Sequence, residues 1–249
     1  MKLVPLGDRV VLKQYEAEEK ITVNGNVDLY AVVFNRTTET DLTEDQLPQV
    51  DIYKYKQVIF VGDSRTEFME NVLTGMGESA TKNVKFVCSA GKGLDWFTTT
   101  GWAQLYSIVQ HDSNSILSKK TAVIFNFGVN DLSKSADYAE YYNWIAPQLK
   151  SKGCELYFMS VNPVNRLMLP NAGRADRSEA AVRSFNQYMK ANLSSAYTYI
   201  DMYSYLKSTG YSFASDHYGT GTVDDGLHYT TRTYKRIFAK CMDSLRVPA

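Results

Sequence analysis

From Gln57 onward, short runs of β-branched and aromatic residues alternate with longer stretches in which apolar residues recur every three or four positions. The short runs predict strands at Val58 to Val61, Val84 to Cys88, Ala122 to Phe127, Glu155 to Val161 and Tyr197 to Asp201. The longer stretches predict helices at Thr66 to Leu73, Leu94 to Gln110, Ala136 to Lys150, Ser178 to Leu193 and Thr231 to Leu245. Strict alternation of strand and helix favours an α/β class: a three-layer α/β/α sandwich around a parallel sheet of about five strands, flavodoxin-like in plan. The strands are nearly continuous in apolar character, as burial on both faces requires.

The first 56 residues are less regular. Asn24-Gly25-Asn26 is a turn signal, Leu29 to Phe34 is β-prone, and Thr37 to Gln46 is polar. We read residues 1–56 as an N-terminal leader or extension and 57–249 as the main domain. The segment Met1 to Lys20 resembles the opening strand of the small bacterial co-chaperonin that caps the large chaperonin ring. Nothing after it matches that family's Gly-rich mobile loop, so the likeness implies a leader or fusion and no chaperone activity.

Composition narrows the functional classes. Twenty-seven basic and 27 acidic residues cancel, leaving no global field for nucleic acid or an anionic membrane surface. No apolar run approaches the length needed for an integral membrane segment. No secretory signal opens the chain, which reads as cytoplasmic if complete and as secreted or cell-surface if a signal peptide has been removed. Cys88, Cys154 and Cys241 are odd in number and far apart, and suggest neither a metal site nor a disulfide framework. A neutral, compact or uncharged small molecule is the more natural partner, no cofactor is called for by the composition, and the oligomeric state is left open.

In an open parallel sheet, ligands bind beyond the carboxyl ends of the strands. The residues there are Gly62-Asp63-Ser64-Arg65, Ser89 to Trp96, Gly128-Val129-Asn130-Asp131, Asn162 to Arg166 and, before the last helix, Asp224 to Tyr229. Ser64 follows a strand and opens a helix, which makes it a candidate nucleophile; the plainer reading is that Asp63 or Ser64 only caps the helix. A serine hydroxyl needs a base at neutral pH, and an imidazole is the usual one. Of the three histidines, His228 is the candidate, His217 the second choice, and His111 reads as solvated. Asp225 or its neighbour Asp224 could orient the imidazole.

These blocks together resemble the SGNH, or GDSL-type, hydrolases. Gly62-Asp63-Ser64 matches the family's nucleophile block, Gly128-Val129-Asn130-Asp131 its Gly-X-Asn-Asp block, and Asp225-Gly226-Leu227-His228 its Asp-X-X-His block. Arg65 stands where the eponymous pattern has Leu. The resemblance implies a serine esterase that works through an acyl-enzyme on Ser64, with His228 as base and Asp225 preferred over Asp224. It further implies an oxyanion hole from the Ser64 N–H, a glycine N–H and the Asn130 amide. For the glycine, Gly93 is chosen over Gly91 in a nearly even choice. Arg65, Lys92, Trp96, Asn162 and Arg166 are expected to rim the site, although a tryptophan such as Trp96 on an amphipathic helix is more often a core residue. Arg174 and Arg177 read as solvated loop residues. The expected substrate is a short-acyl ester, acetyl first, on a carbohydrate. The competing expectation is a catalytically silent module of the same fold that binds a glycan or other ligand.

Overall fold

In the computed structural model, residues 5–6, 9–10, 21–23, 27–29, 41–50, 54–112, 120–170, 173, 175–214, 219–221 and 223–245 are described. Five strands build one sheet: β1 (Tyr55–Gly62), β2 (Val84–Cys88), β3 (Lys120–Asn126), β4 (Cys154–Met159) and β5 (Tyr197–Ile200). All neighbours run parallel, in the order β2-β1-β3-β4-β5. This order is flavodoxin-like, and the five parallel strands are those that the alternation of the sequence predicts. Two short antiparallel pairs, Pro5–Leu6 with Arg9–Val10 and Ile21–Val23 with Val27–Leu29, precede it. The rest of the co-chaperonin-like segment and residues 30–40 lie outside the described residues.

The pleat sends successive side chains to opposite faces. Ile59, Val61, Val123, Phe125, Leu156 and Phe158 join one apolar cluster, while Val58, Phe60, Ala122, Ile124, Tyr157 and Met159 join the other. Burying each such side chain contributes about 1.5–3 kcal/mol. On the first face lie a helical run formed by Leu94–Trp96, a π-helical turn Phe97–Gly101 and Trp102–Asp112 (together α2), then α3 (Ser135–Ser151) and α4 (Glu179–Asn192). On the second lie α1 (Ser64–Thr74), α5 (Met202–Thr209) and α6 (Thr231–Ser244). Leu47 and Val50 are buried in this second cluster as well.

Helix α5 was not expected from the sequence. Its signals are short but present: the Asp201 side chain accepts from Ser204 N–H, and Gly210 ends the helix at a φ of 85°. No helix among the described residues is long and apolar enough to cross a membrane.

The order reverses between β1 and β3, and the crevice of such a sheet opens at that point. Gly62 and Asn126 are register partners at the carboxyl ends of these two strands. The loops after both strands therefore rise side by side.

Candidate active site

The turn from β1 into α1 is tight. A Cβ on Gly62 would lie 2.0 Å from the Thr66 hydroxyl oxygen, so only glycine lets the helix start this close to the strand end. Asp63 then caps α1, its Oδ1 accepting from the Arg65 N–H at 3.0 Å. The capping role and a free serine hydroxyl thus fall on adjacent residues, and Ser64 is left at the first helical position.

His228 meets Ser64 from the loop before α6. Its Nε2 lies 2.9 Å from Ser64 Oγ, and its Nδ1 lies 2.6 Å from Asp225 Oδ2. The carboxylate is oriented by its other oxygen, Oδ1, which accepts from the backbone N–H groups of Leu227 (2.9 Å) and His228 (2.8 Å). Because a carboxylate only accepts, the neutral ring donates from Nδ1 and leaves Nε2 as an acceptor toward the serine hydroxyl. Burial alone would raise the pKa of Asp225. The ring and backbone hydrogen bonds outweigh it and hold the carboxyl below its ordinary range. Asp224 is turned away, bonded to Gly226 N–H (2.7 Å) and Asn165 Nδ2 (3.0 Å), and its pKa is raised, chiefly by burial. His217 and the side chain of His111 lie outside the described residues.

Phe68, one turn along α1 from Ser64, stacks on the His228 ring with centroids 4.2 Å apart and an interplanar angle of 25°. The contact lays the phenyl ring against one face of the imidazole. The sequence offered one signal for it: residues four apart share a helix face.

The block after β3 approaches from the other side. Asn130 Nδ2 donates to Lys92 O at 2.8 Å, and Asn130 Oδ1 accepts from Arg177 Nη2 at 3.0 Å. Asp131 bridges onward, accepting from Leu94 N–H (2.9 Å) and the Tyr138 hydroxyl (2.7 Å). A Cβ on Gly93 would sit 2.3 Å from Asp131 Oδ2, whereas Gly91 has open space around it and a φ of 71°. Both positions therefore call for glycine, one by crowding and one by backbone conformation.

A cavity of about 440 Å³ opens over Ser64 and His228; its described lining includes Phe68, Gly91, Asn130, Ala175 and Arg177. The expected rim is corrected here. Arg65 is 2% exposed, and its guanidinium donates to the carbonyls of Leu227 (2.9 Å), Asn162 (2.8 Å) and Pro163 (2.8 Å). It ties loops together behind the site, because five donors in one planar group can satisfy several buried carbonyls at once. Asn162 is buried too, at 1% exposure, and Trp96 is partly buried and packs on Phe127 of the first apolar cluster. Lys92 is exposed and its carbonyl accepts from Asn130, and Arg166 forms a bidentate ion pair with Asp176, both N···O distances being 3.0 Å. None of the five is among the described residues that line the cavity. Arg177, read from the sequence as solvated, is.

Residues 58–241 match the family model for GDSL-like lipases and acylhydrolases. A comparison with curated protein sequences found no match. Among solved structures, a protein of Slackia heliotrinireducens assigned to the SGNH hydrolases is 12% identical, with 78% of this chain and 100% of that chain covered at a TM-score of 0.53. A Bacteroides fragilis protein assigned as an acylhydrolase is 16% identical over 81% of this chain and 92% of its own, with a TM-score of 0.49. The acetyl xylan esterase AlAXEase is 11% identical over 76% and 100%, with a TM-score of 0.48.

Proposed function

The chain belongs to the GDSL-like lipase/acylhydrolase family and is an ester hydrolase, and within that family we propose that it removes short acyl groups, acetyl first, from a carbohydrate by way of an acyl-enzyme on Ser64. The observation that carries the reading is the unbroken run of hydrogen bonds from Ser64 through His228 to Asp225. In this mechanism His228 Nε2 takes the hydroxyl proton as Ser64 Oγ bonds to the ester carbonyl carbon. The carbonyl electron pair moves to oxygen and forms a tetrahedral oxyanion. Its donors are the Ser64 N–H at the start of α1, the second Nδ2 hydrogen of Asn130 and the Gly93 N–H. Collapse expels the alcohol, which leaves with the proton from His228. Water then repeats the sequence on the acyl-enzyme and returns the hydroxyl to Ser64.

Two features support a short acyl group and a polar alcohol. The described lining of the cavity includes the small residues Ala90, Gly91, Gly173 and Ala175 and the polar Asn130 and Arg177, together with Phe68 and Leu227. A cavity of this size holds an acetyl or butyryl ester without an extended apolar groove. Hydrolysis rates of aryl acetate, butyrate and octanoate, followed by acetate release from acetylated xylan, test the proposal. Acetyl is expected to exceed octanoyl in kcat/KM by at least about tenfold, since Phe68 and Leu227 are the only large apolar side chains in the described lining that a longer acyl chain could pack on. Preference for octanoyl, or no acetate release from any acetylated glycan, would contradict it.

A further inference from the structure

Arg177 lines the cavity, and its guanidinium donates to the block after β3 and to its own loop. Nε donates to Val129 O at 2.6 Å, Nη2 to Asn130 Oδ1 at 3.0 Å, and Nη1 to Ala175 O at 2.9 Å. The carboxamide of Asn130 is thus held at both ends by partners of fixed sense. A guanidinium can only donate, so the amide oxygen must face Arg177; a carbonyl can only accept, so the amide nitrogen must face Lys92 O. With one Nδ2 hydrogen engaged by Lys92, the plane of the amide and the direction of the remaining hydrogen are determined.

We infer that Arg177 is a positioning residue for the oxyanion hole, acting through Asn130. It fixes which end of the carboxamide meets the reacting oxygen. Its positive charge on Oδ1 also draws electron density from the amide and makes Nδ2–H a stronger donor as negative charge builds. A lysine could not do this, because one ammonium lacks the fork that reaches Val129 O and Asn130 Oδ1 together. The inference rests on the proposed role of Asn130 in an acyl transfer on Ser64, and its test is chosen to fail separately from that reading.

The test is a double-mutant cycle read with an aryl acetate, with folding of each variant checked by its thermal transition. Arg177→Ala is expected to lower kcat by about ten- to a hundredfold, somewhat less than the loss of an oxyanion donor itself, and to leave KM within about threefold. Arg177→Lys should recover only a small part of kcat, and added ethylguanidinium should restore part of the Arg177→Ala loss. In an Asn130→Ala background, removing Arg177 should cost less than about twofold, because the group it positions is gone. A full Arg177→Ala loss persisting in that background, or a loss confined to KM, would overturn the inference. If Arg177→Ala does not fold, the cycle is run with Arg177→Lys, to which the same criterion of non-additivity applies. Ser64→Ala separates the two readings. Full activity in that variant refutes the acyl-enzyme on Ser64. Loss of activity there, combined with additive Arg177 and Asn130 effects, refutes only the role given to Arg177.

Discussion

Arg65 carries a full guanidinium charge into a site that leaves it 2% exposed, with Tyr229 beneath it at 5.1 Å. Its three carbonyl partners belong to the loop after β4 and to the loop that holds His228. Replacing it with leucine, the residue of the eponymous family pattern, fills similar volume but removes the guanidinium donor from the Leu227 and Asn162 carbonyls, while Pro163 O keeps the Tyr229 hydroxyl. Each such orphaned group costs about 1–3 kcal/mol. Arg65→Leu is therefore expected to lower unfolding stability by about 3–5 kcal/mol in chemical denaturation, and to lower activity because the His228 loop loses a tether. A stability change within about 0.5 kcal/mol would show that these contacts are not what holds the loops.

At the scale of the element, α1 begins on a buried acid. Asp63 is 1% exposed, and its pKa is pushed up to about 6 by burial, against the lowering effects of the Arg65 N–H and guanidinium. The folded state thus binds this proton more tightly than the unfolded chain, where the ordinary value is 3.8. Stability from this group is fully present below about pH 4, falls as the pH rises toward about 6, and stays lower above that. Asp63→Asn keeps an oxygen for the Arg65 N–H and removes the charge. Compared with the parent, its unfolding free energy should gain steadily from pH 4 to 6 and be higher by about 1–3 kcal/mol at pH 7.5. Denaturation curves across that range check it, and a difference that is flat or of opposite sign would contradict it. Asp225 runs the other way: its depressed pKa contributes stability that is lost only at low pH.

Across the whole molecule, what could be read in advance was what depends on neighbours in sequence. The five strands stood out because a parallel sheet buried on both faces needs apolar runs. Ser64, Asn130 and His228 stood out because they fall beyond a strand end or before the last helix, where an open parallel sheet gathers its ligand-binding residues, and because the short blocks around them resemble those of the SGNH hydrolases. The cavity rim was not legible. Whether Arg65 turns inward to three carbonyls or outward to substrate depends on loops up to 162 residues away in the chain. Arg177 gave no local sign either, since its partner Asn130 lies 47 residues earlier. Helix α5 was missed for a different reason: eight residues are too few for the apolar period to emerge, so only its cap and terminal glycine marked it.

The central claim is that this fold brings Ser64 to a base that activates it. Labelling the folded protein at neutral pH with a fluorophosphonate, followed by peptide mass mapping, tests that most directly. The predicted result is a single adduct on Ser64, absent from Ser64→Ala and formed at least about a hundredfold more slowly by His228→Ala, in which the general base is gone. No adduct on protein shown to be folded, or an adduct on a different residue, would contradict it.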